Sequence, residues 1–128
     1  MTTPPERRPM VRRSAEYLWE RPPHHDAGAL SKMLVRPDVC GARNLDHRIS
    51  TYRPGDGVAV HAHPEQEQIY HVLSGEGLLE IDGEARVVDG GTIVFVPPGV
   101  MHGITNTGFE QLVFLVITSP PDGPLALG

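Results

Sequence analysis

Short apolar stretches separated by turn residues make up most of the chain after residue 28. We predict nine strands, in the stretches LSKMLVR, ARNLDHRISTY, VAVHAH, QIYHVLSG, GLLEIDG, EARVVDGG, TIVFVPPG, MHGITNTG and QLVFLVIT. Nearly every break between them carries Gly, Pro, Asp or Asn, and the breaks recur about every 8 to 12 residues. This rhythm predicts an all-β sandwich or barrel of the jelly-roll kind.

The composition agrees with a single β domain that has many turns. Among 128 residues there are 14 Gly and 13 Pro, which favours short strands joined by turns over a helical bundle. We expect an N-terminal arm over residues 1–28, one β domain over residues 29–119 and a C-terminal tail over residues 120–128. Within the arm, His24 and His25 follow a double proline, and we expect them in an exposed loop.

The charge and hydropathy of the chain argue against two classes of binding partner, nucleic acids and membranes. The net charge of −5 argues against a nucleic-acid-binding surface, which is usually basic. No apolar run approaches the roughly 20 residues of a membrane span, and no apolar signal-peptide core is visible at the N-terminus. The single Cys40 cannot form an internal disulfide, which is typical of a reducing compartment. We therefore expect a cytoplasmic protein that binds neither nucleic acid nor membrane.

Two histidines separated by one residue suggest a metal site. His61 and His63 would point to the same side of a strand, because strand side chains alternate between faces. Imidazole binds most divalent transition metals at neutral pH. Two spaced motifs contain these histidines and a third one. The first motif is Gly55, His61, His63, Gln68 and Gly75, and the second is Gly91, Pro97, Gly99, His102 and Asn106.

The two motifs resemble those of the cupin superfamily, whose first motif normally has Glu at the position of Gln68. The resemblance covers roughly residues 43 to 118 and implies a double-stranded β-helix over residues 29–119. In such a barrel the strands that carry the two motifs are expected to lie opposite each other. The resemblance also implies one divalent transition metal per chain, with zinc preferred over iron, nickel, manganese or copper. Its implied ligands are His61, His63, Gln68 and His102.

The neutral amide of Gln68 bears on the chemistry of this site. With Glu in its place a bound divalent ion would carry about one net positive charge, whereas with Gln it keeps two. A more positive ion stabilises an anionic ligand such as an enolate more strongly. It also disfavours oxidation of the metal, so Gln68 favours non-redox chemistry over oxygen activation.

Two alternatives to Gln68 remain open as the fourth ligand. Glu67 could reach the metal through a one-residue bulge. His47 could do so if it faces the barrel interior, which we expect because Leu45 and Ile49 share its side of the predicted strand and are apolar.

Two residues are candidates for moving a proton in the site. Facing the interior, His47 could act as a proton carrier. Tyr70 shares a strand face with Gln68 and could act as an acid or a pocket wall. His71 falls on the opposite face of that strand, which predicts a structural role.

Small single-domain cupins of this outline resemble cyclases and aromatases of aromatic polyketide pathways, as well as sugar-acid isomerases and lyases. We therefore predict a metal-dependent enzyme that polarises the carbonyl or enol of a small organic substrate. The preferred reading is a polyketide cyclase or aromatase of antibiotic biosynthesis. The alternatives are a dioxygenase acting on a small phenolic or carbonyl compound and a non-enzymatic ligand-binding cupin.

We also expect a homodimer. The first predicted strand, LSKMLVR, precedes the motif region and is free to add to the edge of a neighbouring sheet.

Overall fold

Eight strands account for most of the regular structure in the computed structural model, which describes residues 5–121. The predicted C-terminal tail therefore lies outside the described residues from position 122 onward, as do residues 1–4 of the arm. In chain order the elements are a 3₁₀ turn (Ser14–Glu16), β1 (Ala29–Val35), α1 (Pro37–Cys40), β2 (Asp46–Tyr52), β3 (Glu67–Ser74), β4 (Glu76–Ile81), β5 (Glu84–Asp89), β6 (Ile93–Val96), β7 (His102–Asn106) and β8 (Leu112–Ser119).

The strands form two antiparallel sheets. The larger sheet has the order β1-β2-β8-β3-β6, and the smaller one has the order β5-β4-β7. β8 lies at the centre of the larger sheet and pairs with both β2 and β3. The predicted all-β jelly-roll architecture is thus confirmed. The sheets face each other across an interior that receives alternate side chains of each strand.

The predicted strand VAVHAH is not regular in the structure. Between Gly57 and His61 the chain makes only isolated bridges to β7, which join Gly57 to Thr105 and His61 to His102. From Gly57 to His61 the chain advances four residues, whereas β7 advances only three, from Thr105 to His102. One extra residue on one side of a pair interrupts the ladder, as in a β-bulge. The strand prediction was wrong for this reason, although the segment still runs alongside β7.

The residues of β2 that face the interior are the ones expected to face outward, and the reverse also holds. Asp46, Arg48, Ser50 and Tyr52 are buried on its inner face, whereas Leu45 is 50% exposed and His47 points to the outer face. The expectation that His47 faces the barrel interior was wrong.

The reversal has a physical explanation. The inward charges of β2 satisfy each other, since Arg48 Nε and Nη2 lie 3.0 and 2.9 Å from the two oxygens of Asp46. The outer face of the sheet is apolar as well, because the outward residues of β8 are Val113, Leu115 and Ile117. Ile49 of β2 joins that outer face.

Part of the N-terminal arm packs against the sheets. The Tyr17 hydroxyl donates to the Leu34 carbonyl over 2.9 Å, and Glu20 pairs with Ser31 through two backbone hydrogen bonds of 2.8 Å. His25 forms a bridge with Val58 and is only 2% exposed, so the expected exposed loop is wrong for this residue. None of the helices in the described part of the chain is long and apolar enough to cross a membrane.

A group of aromatic rings fills the interior between the sheets. The Phe114 ring lies 5.0 Å from that of Tyr52 and 5.6 Å from that of Tyr70, centroid to centroid. All three side chains are essentially inaccessible to water. Because Tyr70 also touches His102, this group supports one wall of the histidine cluster described below.

We expect Phe114→Ala to lower the free energy of unfolding by about 3 to 5 kcal/mol, since it removes a buried ring and leaves a cavity. Urea unfolding would measure the change. Phe109→Ala is the matched control, because Phe109 is fully exposed and its loss should cost less than about 0.5 kcal/mol. Equal effects for the two variants would contradict this account of the core.

Candidate metal centre

Three imidazoles from two segments converge at one end of the interior. The ring centroids are 5.0 Å apart for His61 and His63, 4.6 Å for His61 and His102, and 5.6 Å for His63 and His102. One ring nitrogen from each residue lies within 4.8 Å of the other two. Three imidazole nitrogens at this separation form a donor set suited to a divalent transition metal.

Backbone hydrogen bonds hold the two segments together at this point. His61 and His102 exchange backbone N–H···O bonds of 2.9 and 2.8 Å. The segments are thus direct neighbours, and the expectation that they lie opposite each other in the barrel was wrong. The Gly99 N–H also donates to the His63 carbonyl over 2.7 Å, from a turn in which Gly99 has φ of +78°. This left-handed conformation favours glycine.

A second glycine allows the close approach of the segments. A Cβ atom at Gly103 would lie 3.0 Å from both the Val58 carbonyl oxygen and the Val60 amide nitrogen. A larger residue there would push the segment that carries His61 away from β7.

Hydrogen bonds fix which nitrogen faces the centre. His61 Nδ1 lies 2.8 Å from the Ala59 carbonyl, and His102 Nδ1 lies 2.9 Å from the Val100 carbonyl. Since a carbonyl only accepts, each Nδ1 carries the proton, and the lone pair of Nε2 is available to a metal. The Nε2 atom of His102 is buried and has no hydrogen-bond partner within residues 5–121. These features fit a bound metal ion.

Burial favours the neutral, metal-binding form of His102. The side chain is inaccessible to water, and this burial lowers the pKa of His102, with a smaller lowering by His61 and a partial offset by the hydrogen bond to Val100. A neutral imidazole at neutral pH can bind a metal without first losing a proton.

Gln68 lies on the inner face of β3, where it is buried. Its Nε2 donates to the Thr118 hydroxyl over 3.0 Å. This bond fixes the orientation of the amide, because the nitrogen is used by Thr118. The amide oxygen is the atom that could bind a metal. Glu67 is exposed on the outer face, and β3 keeps a regular register through this region. The alternative in which a bulge brings Glu67 to the metal therefore has no support.

Tyr70 is the next inward residue of β3 after Gln68. Its ring makes an edge contact with His102, 5.8 Å between centroids. Its buried hydroxyl has no hydrogen-bond partner among the described residues. Burial raises the pKa of Tyr70 well above its ordinary value, and Arg48 only partly offsets this, so the hydroxyl stays protonated and acts as a donor.

The structure does not bring His47 into this group. Its cross-strand neighbours are Val35 and Ile117, on the outer side of the larger sheet. It therefore cannot serve as the fourth ligand or as the proton carrier of this centre. His71 lies on the face of β3 opposite to Gln68, as predicted.

Sequence reasoning missed three buried residues in this interior: Asp46, Arg48 and His25. Asp46 and Arg48 alternate with Leu45, His47 and Ile49 along the chain. Because the side with Leu45 and Ile49 was expected to face the interior, the two charged residues were expected outside. No periodic signal marks His25, since it lies outside any regular strand.

We expect wild-type protein to bind one divalent metal per chain, and the double substitution His61→Ala, His102→Ala to abolish stoichiometric binding, because only one imidazole of the cluster remains. Elemental analysis after zinc loading and dialysis would measure the metal content. His71→Ala is the control, since His71 lies on the other face of β3, and it should retain the metal. Full occupancy in the double variant would refute the assignment.

Comparison with known proteins places these features in a family. The sequence profile of the cupin domain matches residues 48–118. The oxalate-binding protein of Thermotoga maritima is 36% identical over 112 residues, which cover 84% of this chain and 92% of that protein. The polyketide synthase CurC of Streptomyces cyaneus is 26% identical over 98 residues, which cover 77% of this chain and 64% of that protein.

Solved structures show the same fold. The crystal structure of a predicted oxalate decarboxylase from Thermotoga maritima aligns with a TM-score of 0.78 and 27% sequence identity, over 86% of this chain and 98% of that chain. The cupin profile covers more than half of the residues, and all three clustered histidines lie within the match. This chain therefore belongs to the cupin family.

Proposed function

We propose that this protein is a metal-dependent enzyme that acts on a small organic substrate through its enol or enolate form. The ligands would be His61, His63, Gln68 and His102, with zinc as the preferred metal. When bound, the ion would act as a Lewis acid that polarises a substrate oxygen. The observation that carries this proposal is the absence of any carboxylate from the histidine cluster of the described residues.

Two carboxylates on the larger sheet are directed away from the cluster or bonded to another residue. Glu67 is exposed on the other face of β3, and both oxygens of Asp46 are bonded to Arg48. With neutral ligands only, the centre keeps the full charge of a divalent ion. This charge supports stabilisation of an anionic substrate form and disfavours a higher oxidation state of the metal.

Tyr70 suits the same chemistry. A buried phenol with a raised pKa remains a hydrogen-bond donor while negative charge develops on a nearby substrate oxygen. The aromatic rings behind it keep water from that side of the centre. The protein would thus supply a fixed donor and a dry wall, both of which favour enolate formation.

Within this class we propose a cyclase or aromatase of an aromatic polyketide pathway. The similarity to the polyketide synthase CurC supports this choice, as does the aromatic interior. A ring closure of the aldol type needs an enolate and a proton carrier and requires no external oxidant.

A second candidate function is binding without catalysis. The most extensive similarity described above is to a protein named for binding oxalate, a small dianion with two pairs of oxygens. A centre with undiminished positive charge would hold such an anion equally well. Catalysis of proton exchange, tested next, distinguishes the two functions.

We expect zinc-loaded protein in D₂O to accelerate exchange of the acidic C–H hydrogens of pyruvate and of 2,4-pentanedione, measured by proton NMR. Gln68→Glu should retain one zinc per chain but lower the exchange rate by about tenfold, because the added carboxylate reduces the charge of the ion. Zinc-free protein is the control for background exchange.

Two outcomes would contradict the proposal. Zinc-loaded wild type that exchanges no faster than zinc-free protein would favour binding without catalysis, particularly if oxalate still binds in calorimetry. Turnover that requires oxygen and survives Gln68→Glu would instead favour an oxygenase.

We further propose that the protein is a homodimer that pairs through the outer face of the larger sheet. The exposed apolar residues there lie on adjacent strands β3 and β6: Ile69, Leu73, Ile93 and Phe95. Apolar side chains grouped in this way on a sheet face mark an interaction surface. His71 is the one titratable side chain between Ile69 and Leu73 on this face, and the face can pair with a second copy related by a two-fold axis.

From the sequence we expected the dimer to form through the edge strand β1, and the structure favours a different surface. β1 pairs with β2 of its own chain, and Glu20 of the arm bonds to the other side of β1 at Ser31. This edge is therefore partly occupied within the chain, which favours contact through the sheet face.

The double substitution Ile93→Arg, Phe95→Arg should convert the dimer to a monomer, because it places two charges in the apolar face. Light scattering coupled to size-exclusion chromatography would measure the mass. Phe109→Arg, at a fully exposed position in the loop between β7 and β8, is the matched control and should remain dimeric. A monomeric wild type would refute the proposal.

A further inference from the structure

A fourth histidine lies in the same interior as the histidine cluster. His25 is 2% exposed. Its backbone pairs with Val58, three residues before His61. Its ring makes an edge contact with Tyr52, the last inward residue of β2, at 6.0 Å between centroids and 77° between planes. The N-terminal arm thus inserts an imidazole between the two sheets.

A continuous series of ring contacts runs from this imidazole through three aromatic rings to the histidine cluster. From His25 they run to Tyr52 at 6.0 Å, to Phe114 at 5.0 Å, to Tyr70 at 5.6 Å and to His102 at 5.8 Å. Burial lowers the pKa of His25, and His61 and Arg48 contribute to the lowering while the Pro23 carbonyl and Asp26 oppose it. His25 therefore shares the interior with the histidine cluster and lies within electrostatic reach of it.

The tautomer of His25 is fixed in the same way as in the cluster. Its Nδ1 lies 2.9 Å from the Pro23 carbonyl, which can only accept, so Nδ1 carries the proton. The Nε2 atom is buried, bears the lone pair and has no hydrogen-bond partner within residues 5–121. A buried acceptor that lacks a donor is costly unless another molecule supplies one.

The chain around His25 holds it in place. The His25 N–H bonds to the Pro22 carbonyl across a turn with Pro23 at its second position and His24 at its third, where His24 has φ of +62°. This combination is the pattern of a type II turn, which requires a left-handed residue at the third position. Arg21 Nε donates to the His25 carbonyl over 2.8 Å. The turn directs His24 outward and His25 inward.

His25 and Tyr70 offer complementary unpaired atoms. The Nε2 of His25 is an acceptor, and the protonated hydroxyl of Tyr70 is a donor. A carbonyl compound with an acidic hydrogen presents the matching pair, since its hydrogen can go to a base while its oxygen takes a hydrogen bond. His47 also has a buried Nε2 without a partner among the described residues, but it lies on the outer face of β2.

We propose that His25 is the general base of this site and that its substrates are small carbonyl compounds with a C–H bond next to the carbonyl. The inference rests on the proposed metal-dependent function. In the step, the C–H bond breaks, its proton forms a bond to Nε2 of His25, and the electron pair passes into the enolate. Return of the proton to a carbon or oxygen of the same substrate restores neutral His25, so that no co-reactant is consumed.

The test compares substitutions of His25 with the same substitution at His47. His25→Asn keeps an amide nitrogen that can donate to Pro23 but has no basic atom, and His25→Gln places an amide near the position of Nε2. With zinc at one per chain, both should exchange pyruvate and 2,4-pentanedione hydrogens about 100-fold more slowly than wild type, the scale of a lost general base. Probe affinity in calorimetry should stay within about threefold of wild type. His47→Gln should exchange at the wild-type rate.

Zinc-loaded His25 variants that exchange at the wild-type rate would overturn the role of His25 and leave the proposed function intact. Wild type that fails to exchange when loaded with zinc would refute the proposed function. The inference about His25 then depends on side-chain ¹⁵N NMR of wild type with and without oxalate. We expect an unprotonated Nε2 whose resonance moves when oxalate binds. A proton on Nε2, or a resonance that oxalate leaves unchanged, would overturn the assignment.

Discussion

The backbone pair between His61 and His102 is the constraint on which the metal centre depends. Two hydrogen bonds of 2.9 and 2.8 Å join β7 to a segment that is otherwise irregular. Gly103 favours this close approach, because a Cβ atom there would lie 3.0 Å from the Val58 carbonyl oxygen and from the Val60 amide nitrogen. The histidine pair is thus brought to His102 by main-chain contacts.

The charged side chains in the interior neutralise each other. The carboxylate and guanidinium that enter the barrel, Asp46 and Arg48, bind each other through two contacts. Other polar groups of this interior include the clustered imidazoles, the Gln68 amide and the Tyr70 phenol. An ion bound by such groups would keep its full positive charge, and an anionic ligand would neutralise it. The same alternation along β2 that places Asp46 and Arg48 inside also places Ile49 on the apolar outer face.

Much of the fold and most of the site could be predicted from the sequence. The turn residues marked the strands, and motif spacing identified the three histidines that converge. The errors have a common cause: local patterns do not reveal what lies on each side of a strand. β2 was assigned the wrong phase because Ile49 and its neighbours pack on an apolar outer face. His25 could not be found, since its burial depends on a turn at His24 and a single bridge to Val58.

Three of the interior histidines share a feature of their hydrogen bonding. His25, His61 and His102 each place Nδ1 against the carbonyl two residues earlier, on Pro23, Ala59 and Val100. Each ring is therefore oriented by its own stretch of main chain. Metal-binding histidines are often oriented by neighbouring carboxylate side chains instead, and such partners restrict which substitutions are tolerated nearby. Here the orientation of these three imidazoles does not depend on neighbouring side chains, so residues that line the rest of the interior can change without turning the rings.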